Sequence, residues 1–319
     1  MTLKPGTAVS IGECMVEFAC RQDGSYGLSY GGDTFNTAAY LARLGTHAVS
    51  YVTALGEDPY SDGIVALAAA NGIGTELVAR VPARMPGLYV IETDPSGERT
   101  FWYWRDRSPA RDTLQHIDLQ MLADRLARAQ LVYLSGITLS LYGSADLERL
   151  AELVATARRA GATLAMDSNY RPRGWLGRER GEICDIYERF WRLTDLALPS
   201  FDDEVTLWGD DSPVTTRARL ERFGVREVVI KCGAGGVLVQ GDDTPTPVPR
   251  TIEPLDTTAA GDSFNAGYLA ARTHWRPAAA AAFGQRLAAC VITERGAIVS
   301  DAVTAPFARE LHQARHSAV

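Results

Sequence analysis

No apolar run in this chain approaches the roughly 20 residues that a bilayer span demands. The most apolar stretch, Ala278 to Ile292, is rich in alanine and broken by Gln285 and Arg286. Cysteine is scarce. The five present (Cys14, Cys20, Cys184, Cys232, Cys290) are odd in number, widely scattered and without a C-x-x-C pair. That pattern argues against a disulfide frame and a zinc site, and fits reduced thiols in a cytoplasmic protein. Positive charge is not in excess either: 32 Lys and Arg against 39 Asp and Glu leave −7. A general nucleic-acid or anionic-membrane surface is therefore not expected. The opening M-T-L-K-P-G-T enters a strand-like segment with no apolar signal core. Internal repeats, low-complexity tracts and proline-rich linkers are missing, which favours one main domain.

Several catalytic signatures are absent as well. There is no G-x-x-x-x-G-K-[ST], no H-E-x-x-H and no G-x-S-x-G, and C-G-A-G-G at 232–236 lacks the G-x-G-x-x-G spacing. An NAD-dependent oxidoreductase would need that last fingerprint. His312 and His316 lie four apart near the C-terminus, where such a pair reads as solvated surface.

What remains is a chain of 319 residues, 46% hydrophobic and 22% charged, long enough for a substantial core. From Asp118 onward, patterning predicts strands over 131–135, 163–167, 196–199 and 227–231, with helices over 144–160, 179–192 and 214–223. That alternation is the mark of a parallel sheet covered by helices, whose functional groups gather at the carboxyl ends of strands. Asn169, Arg171, Ser200, Asp203, Lys231 and Gly233 all fall at or just past such ends.

The N-terminal third is less regular. A buried strand over 8–12 precedes short extended pieces at 15–19 and 27–30. Gly31-Gly32 then opens a helix closed by Gly45, with Asn36 one turn in. The glycine pair is either a tight turn or a place where backbone approaches a ligand closely. After a strand over 49–54, Pro86–Arg105 carries two β-branched and aromatic runs around D-P-S-G, a hairpin signal. Both faces of this hairpin are apolar, so both should be covered; with the pieces near 15–30 it reads as a small sheet lying over the active site or against a second subunit. Tyr103 and Arg105 share parity and so one face. Arg105 is then either a rim ion pair or a guanidinium aimed at a substrate carboxylate.

The stretch Leu255–Tyr268, L-D-T-T-A-A-G-D-S-F-N-A-G-Y, carries the chemistry. Apolar spacing predicts a helix starting near Gly261, whose first N–H groups lack intrahelical partners and sit in the positive field of the dipole. Small residues there make a phosphate cradle, although A-A-G-D alone also suits an ordinary capped helix with a small packing face. Asp262 would repel a phosphate unless it meets a hydroxyl about to attack one. So close to a helix start, Asp262 is expected to be more acidic than usual.

D-T-T-A-A-G-D-S-F-N-A-G-Y resembles the C-terminal signature of the PfkB (ribokinase-like) carbohydrate kinases, with A-A-G-D replacing the usual G-A-G-D. I-G-E-C-M-V-E, G-G-D-T-F-N-T-A, P-G-L-Y-V-I-E-T-D-P-S-G-E-R-T-F-W-Y-W-R, Y-L-S-G-I-T-L and D-S-N-Y-R-P-R-G-W extend the resemblance over about residues 11–298. They narrow it to the branch that phosphorylates 2-keto-3-deoxygluconate. The resemblance implies a ribokinase-like α/β fold: a central, mostly parallel sheet flanked by helices, with a small β-sheet lid. It implies a single kinase domain over 1–319, the lid formed by about 13–31 and 86–106.

The resemblance also implies ATP-dependent phosphorylation of a C6 hydroxyl with Mg2+, and allows a monovalent cation such as K+. Gly32, Asp33, Asn36, Tyr89, Tyr103 and Arg105 would line the sugar-acid pocket. Asp262 would be the base, beside an anion hole of Ala259, Ala260 and Gly261. Arg171 would reach the substrate or the transferring phosphate. Asn169, Ser200, Asp203, Lys231, Gly233, Gly235 and Gly236, together with Ala260 and Gly261, would belong to the nucleotide side. No protein ligand set for a metal is expected. The family's N-x-x-E appears as Ser200-Phe201-Asp202-Asp203, a departure that puts its metal-placing role in doubt. Homodimers or larger assemblies through the lid are expected, with no nucleic-acid or membrane partner. A kinase for 2-keto-3-deoxygalactonate or fructose, or a non-catalytic sugar-acid sensor, would share most of these residues.

Overall fold

The structure, a computed structural model, describes residues 3–20, 23–93, 99–248 and 253–317. The D-P-S-G turn of the hairpin, at 94–97, lies outside the described residues. The chain opens with β1 (Gly6–Ile11), β2 (Met15–Cys20) and β3 (Tyr26–Gly31), followed by α1 (Asp33–Leu44). Gly45, at φ 74, ends that helix in a left-handed cap. Next are β4 (His47–Gly56), α2 (Pro59–Ala70), the short β5 (Ile73–Gly74) and β6 (Val78–Val81), then β7 (Leu88–Thr93) and β8 (Arg99–Trp104). Asp58 starts α2 by accepting from the N–H groups of Tyr60 and Ser61, with Pro59 at the first helical position.

The remainder alternates as the patterning predicts. It runs through α3 (Thr113–His116), α4 (Leu119–Arg128), β9 (Leu131–Ser135), α5 (Gly136–Leu141), α6 (Ser144–Arg159), β10 (Thr163–Asp167), α7 (Arg180–Leu193), β11 (Leu196–Ala197) and α8 (Phe201–Trp208). It closes with α9 (Pro213–Arg222), β12 (Glu227–Lys231), β13 (Val237–Val239), α10 (Ala260–Ala271), α11 (Pro277–Val291) and α12 (Asp301–Ser317). β11 stops at Ala197, two residues short of the expected end, although the Leu198 N–H still bonds the Met166 carbonyl (2.8 Å) and the Pro199 carbonyl accepts from the Lys231 N–H (2.9 Å).

The main sheet runs β13-β12-β11-β10-β9-β1-β4-β5, with β6 also pairing β4. All these pairs are parallel except β12–β13. Alternate residues of its strands face two apolar layers. Ala8 and Tyr133 join Phe35, Tyr40, Phe264, Tyr268 and Phe283 on one side. Val9, Ile11, Val132 and Leu134 join Leu122, Leu150, Tyr187 and Trp191 on the other. The ribokinase-like arrangement expected from the resemblance is thus present. Among the described residues no helix is long and apolar enough to cross a membrane.

A second sheet, β3-β2-β7-β8, stands over the carboxyl ends of the main strands. Met15, Tyr89 and Ile91, with Phe101, make its small inner core. Its outer face is open in the single chain: Tyr26, Leu28, Trp102 and Trp104 are 47–62% exposed. Of the two faces expected to be covered, then, the chain itself covers one.

Candidate active site

The site is a cleft of about 700 Å3 between the two sheets, at the strand ends where a parallel α/β sheet gathers its functional groups. Its floor includes Asp167, the last residue of β10, and Lys231, the last of β12. One flank carries Asp33 at the start of α1, another the segment Pro254–Asp262 leading into α10; Phe101 and Tyr103 of the second sheet form the roof.

The turn into α10 has the expected form. Ala259 caps the helix with φ 58, a left-handed conformation uncommon for alanine and the kind of strain found where backbone is aimed at a ligand. The N–H of Ala260 bonds the Thr257 carbonyl (3.2 Å), and that of Ser263 returns to Ala259 (2.9 Å). Among the described residues, the N–H groups of Gly261 and Asp262 have no protein acceptor. The Ala259 N–H likewise has none, whereas the Ala260 donor expected in the anion hole is already engaged.

Asp262 does not titrate as the sequence alone predicts. Burial, then the Asp33 carboxylate, push its pKa up to about 7, against the hydrogen bond donated by Asn36 Nδ2 to Oδ2 at 2.8 Å. The helix field supplies only about 0.3–1 kcal/mol, too little to offset desolvation of a buried carboxylate. Asp33 is raised too, by burial and by the nearby Asp167. A carboxyl near neutrality is the result.

Lys231 is anchored from two elements. Its Nζ donates to Asp167 Oδ2 (2.5 Å) and Asn265 Oδ1 (3.1 Å), while Asn265 Nδ2 reaches Asp167 Oδ2 (2.7 Å) and the Tyr133 hydroxyl (3.0 Å). A Cβ placed on Gly261 would lie 3.6 Å from that ammonium, so the cation stands beside the cradle. Asp203 is likewise committed: it accepts from Arg171 Nη1 (2.9 Å) and the Tyr170 N–H (3.2 Å). It acts on the cleft through Arg171, whose side chain is 57% exposed.

The expected residues thus separate into two groups. Asp33, Tyr103, Asn169, Arg171, Ser200, Lys231, Ala259, Ala260, Gly261 and Asp262 line the cleft. Asn169, expected on the nucleotide side, donates to Asp33 Oδ2 at 2.8 Å and so joins the acidic cluster. Gly32, Asn36, Tyr89 and Arg105 stand behind the wall: Asn36 on Asp262, Tyr89 on Glu17, Arg105 on Glu13. Gly233, Gly235 and Gly236 form the turn after β12, and a Cβ at Gly236 would meet the Thr246 carbonyl oxygen at 2.0 Å. Their tight turn is explained by packing as well as by any ligand.

Sequence reading missed Asp167, Asn265 and Arg173. Asp167 ends a predicted strand and Asn265 lies one turn after Asp262, so strand-end position and helical spacing were available signals. Arg173, with Arg105 and Arg171, acts electrostatically on the Tyr103 hydroxyl, lowering a pKa that burial raises. Arg171 lines the cleft within the field of Asp203, Asp167 and Asp33, so cation and carboxyls share it. Among the described residues no group of three or more His, Cys, Asp or Glu side chains could hold a metal ion.

Comparison with known proteins agrees with this geometry. The pfkB family carbohydrate kinase profile matches residues 6–304. The 2-dehydro-3-deoxygluconokinase of Dickeya dadantii (strain 3937) is 41% identical over 298 residues, covering 91% of this chain and 95% of the relative. That of Escherichia coli (strain K12) is 40% identical over 298 residues, covering 91% and 96%. Among solved structures, a putative ribokinase II from E. coli in complex with ATP and Mg2+ superposes with a TM-score of 0.80 at 20% identity, covering 96% of this chain and 99% of that one.

Proposed function

We infer that this chain, which belongs to the pfkB family of carbohydrate kinases, phosphorylates the C6 hydroxyl of 2-dehydro-3-deoxygluconate (2-keto-3-deoxygluconate) with ATP. The observation that carries the reading is Asp262 itself. It is a buried carboxyl near neutrality, held by Asn36 beside two unclaimed backbone N–H groups and the Lys231 ammonium.

Phosphoryl transfer needs alignment and charge stabilisation more than covalent chemistry. The Gly261 and Asp262 N–H groups and Lys231 Nζ fit a polyphosphate, and the small residues Ala259–Gly261 let it approach. ATP with Mg2+ would supply the phosphoryl group and part of the charge neutralisation. With no carboxylate cluster for a metal among the described residues, the ion would be held chiefly by phosphate oxygens. Asp262 orients the attacking hydroxyl and accepts its proton. Phe101 and Tyr103 cover the reacting end and exclude water. Arg171 on the cleft, and Arg105 reaching it from behind the wall beside Tyr103, would recognise the substrate carboxylate.

The exposed outer face of the second sheet supports a homodimer formed through it. A shallow groove there is lined by Phe18, Tyr26, Val90, Glu92, Trp102 and Trp104, a mostly aromatic and apolar patch of the kind that marks an interface. Such an enzyme would work in the cytoplasm.

The test is a coupled assay with ATP and several acceptors: 2-dehydro-3-deoxygluconate, its galactonate epimer, fructose and ribose. Selective turnover of the gluconate acid supports the reading. Equal or better turnover of a neutral sugar overturns it.

A further inference from the structure

The chain crosses between the main sheet and the second sheet four times: at 12–14 after β1, at Gly32 after β3, at 82–87 before β7, and from Arg105 after β8. Glu13 stands where all four meet. It lies in the first crossing. A Cβ built on Gly32 would come within 2.0 Å of the Glu13 carbonyl oxygen, and one on Gly87 within 2.7 Å of Glu13 Oε1. The fourth contact is ionic, with Arg105 Nη2 donating to Glu13 Oε2.

The pair is buried and joined by one arm only. The Glu13 side chain is 1% exposed and that of Arg105 16%. Glu13 Oε1 and Arg105 Nε are both buried without a hydrogen-bond partner. A guanidinium carries five N–H donors in a rigid fork, so engaging one arm leaves others for a second carboxylate. Without Glu13, Arg105 would be an uncompensated, loosely oriented cation in the free enzyme. With it, the arginine is fixed at the junction of the two sheets before substrate arrives.

We propose that Glu13 is a positioning residue for acid recognition: it holds Arg105 in register with the cleft, so that the substrate carboxylate meets a guanidinium already oriented. This deepens the sugar-acid reading above and rests on it. Glu13 acts through Arg105 and touches neither the hydroxyl nor the phosphate.

The experiment is a double-mutant cycle of Glu13→Gln and Arg105→Ala. It is read as kcat and KM for 2-dehydro-3-deoxygluconate and for fructose, and as calorimetric Kd of the acid without nucleotide. For Glu13→Gln we expect KM and Kd for the acid to rise about tenfold or more, kcat to stay within about threefold, and the acid-to-neutral ratio of kcat/KM to fall about tenfold. In the Arg105→Ala background the same change should cost less than about twofold, since coupled residues are not additive. Equal losses for acid and neutral sugar, or a full extra loss in the double variant, would overturn the role of Glu13 alone. An Arg105→Ala enzyme with undiminished acid selectivity would instead remove the carboxylate reading of Arg105. Should Glu13→Gln fail to fold, Gly87→Ala makes the same test, because its Cβ displaces Glu13 Oε1 while keeping both charges.

Discussion

Asn36 Nδ2 and Asp262 Oδ2 meet at 2.8 Å across 226 residues of sequence, and this hydrogen bond opposes the rise in the Asp262 pKa. Asp33 pushes the other way. With Asp262 as the proposed base, active when ionised, kcat/KM should climb with pH and level off above about 7. Asp33→Asn removes a repelling charge and should move the acid limb to lower pH. Asn36→Ala removes a donor to the carboxylate and should move it to higher pH. Limbs that stay together in all three enzymes would mean that another group limits the rate.

The same shift has a consequence for stability. A carboxyl whose pKa is raised from 3.8 to about 7 binds more protons folded than unfolded between those values. Stability contributed by this group is therefore lost as pH rises through that window. Glu204, also pushed up to about 7 by burial despite Arg219, adds to the slope. Denaturant unfolding between pH 4 and 7 should show Asp262→Asn flattening the decline.

Replacing the base tests the chemistry directly. Asp262→Asn keeps the shape and the Asn36 contact region but loses the acceptor, so kcat should fall by at least about 10²-fold. ATP affinity should hold, since the backbone donors and Lys231 remain. Near-normal turnover would remove Asp262 from the mechanism.

Recognition of an acid should be separable from chemistry. Arg105→Ala should cost about 2–4 kcal/mol in kcat/KM for the sugar acid, the scale of losing a buried charge partner. An equal loss with fructose would make Arg105 a support for the second sheet only.

Assembly can be read from mass. Light scattering should give at least twice the 34.6 kDa of one chain. Trp102→Glu together with Trp104→Glu, both on the open face of β8, should return it to a monomer. A wild-type particle of one chain's mass at micromolar concentration would refute the interface.

Local pattern was enough to find several of the residues that line the cleft. Strand ends and a glycine-bearing helix start led to Asp262, Lys231 and Arg171 because their positions follow from periodicity and topology, whereas Asp33 came only with the family resemblance. What could not be read was who stands beside whom. The acidity of Asp262 was expected from its own helix, yet desolvation and Asp33, contributed by a helix over 200 residues earlier, decide it. Arg105 offered two readings from parity alone, and only the fold brings Glu13 to it. Asp203 likewise shows no sign in sequence that Arg171 and the Tyr170 amide already occupy its oxygens.

The crowding of Asp33, Asp167 and Asp262 at the reacting end bears on how nucleotide enters. A polyphosphate brought next to these groups raises the pKa of any carboxyl that can still accept a proton, and burial and Asp33 already push that of Asp262 up to about 7. Metal-free nucleotide should therefore bind with net proton uptake, visible as a binding enthalpy that varies with the ionisation enthalpy of the buffer. A carboxyl that took up a proton on nucleotide arrival would have to release it before accepting one from a hydroxyl, so protonation of Asp262 would hold back turnover until both ligands are in place.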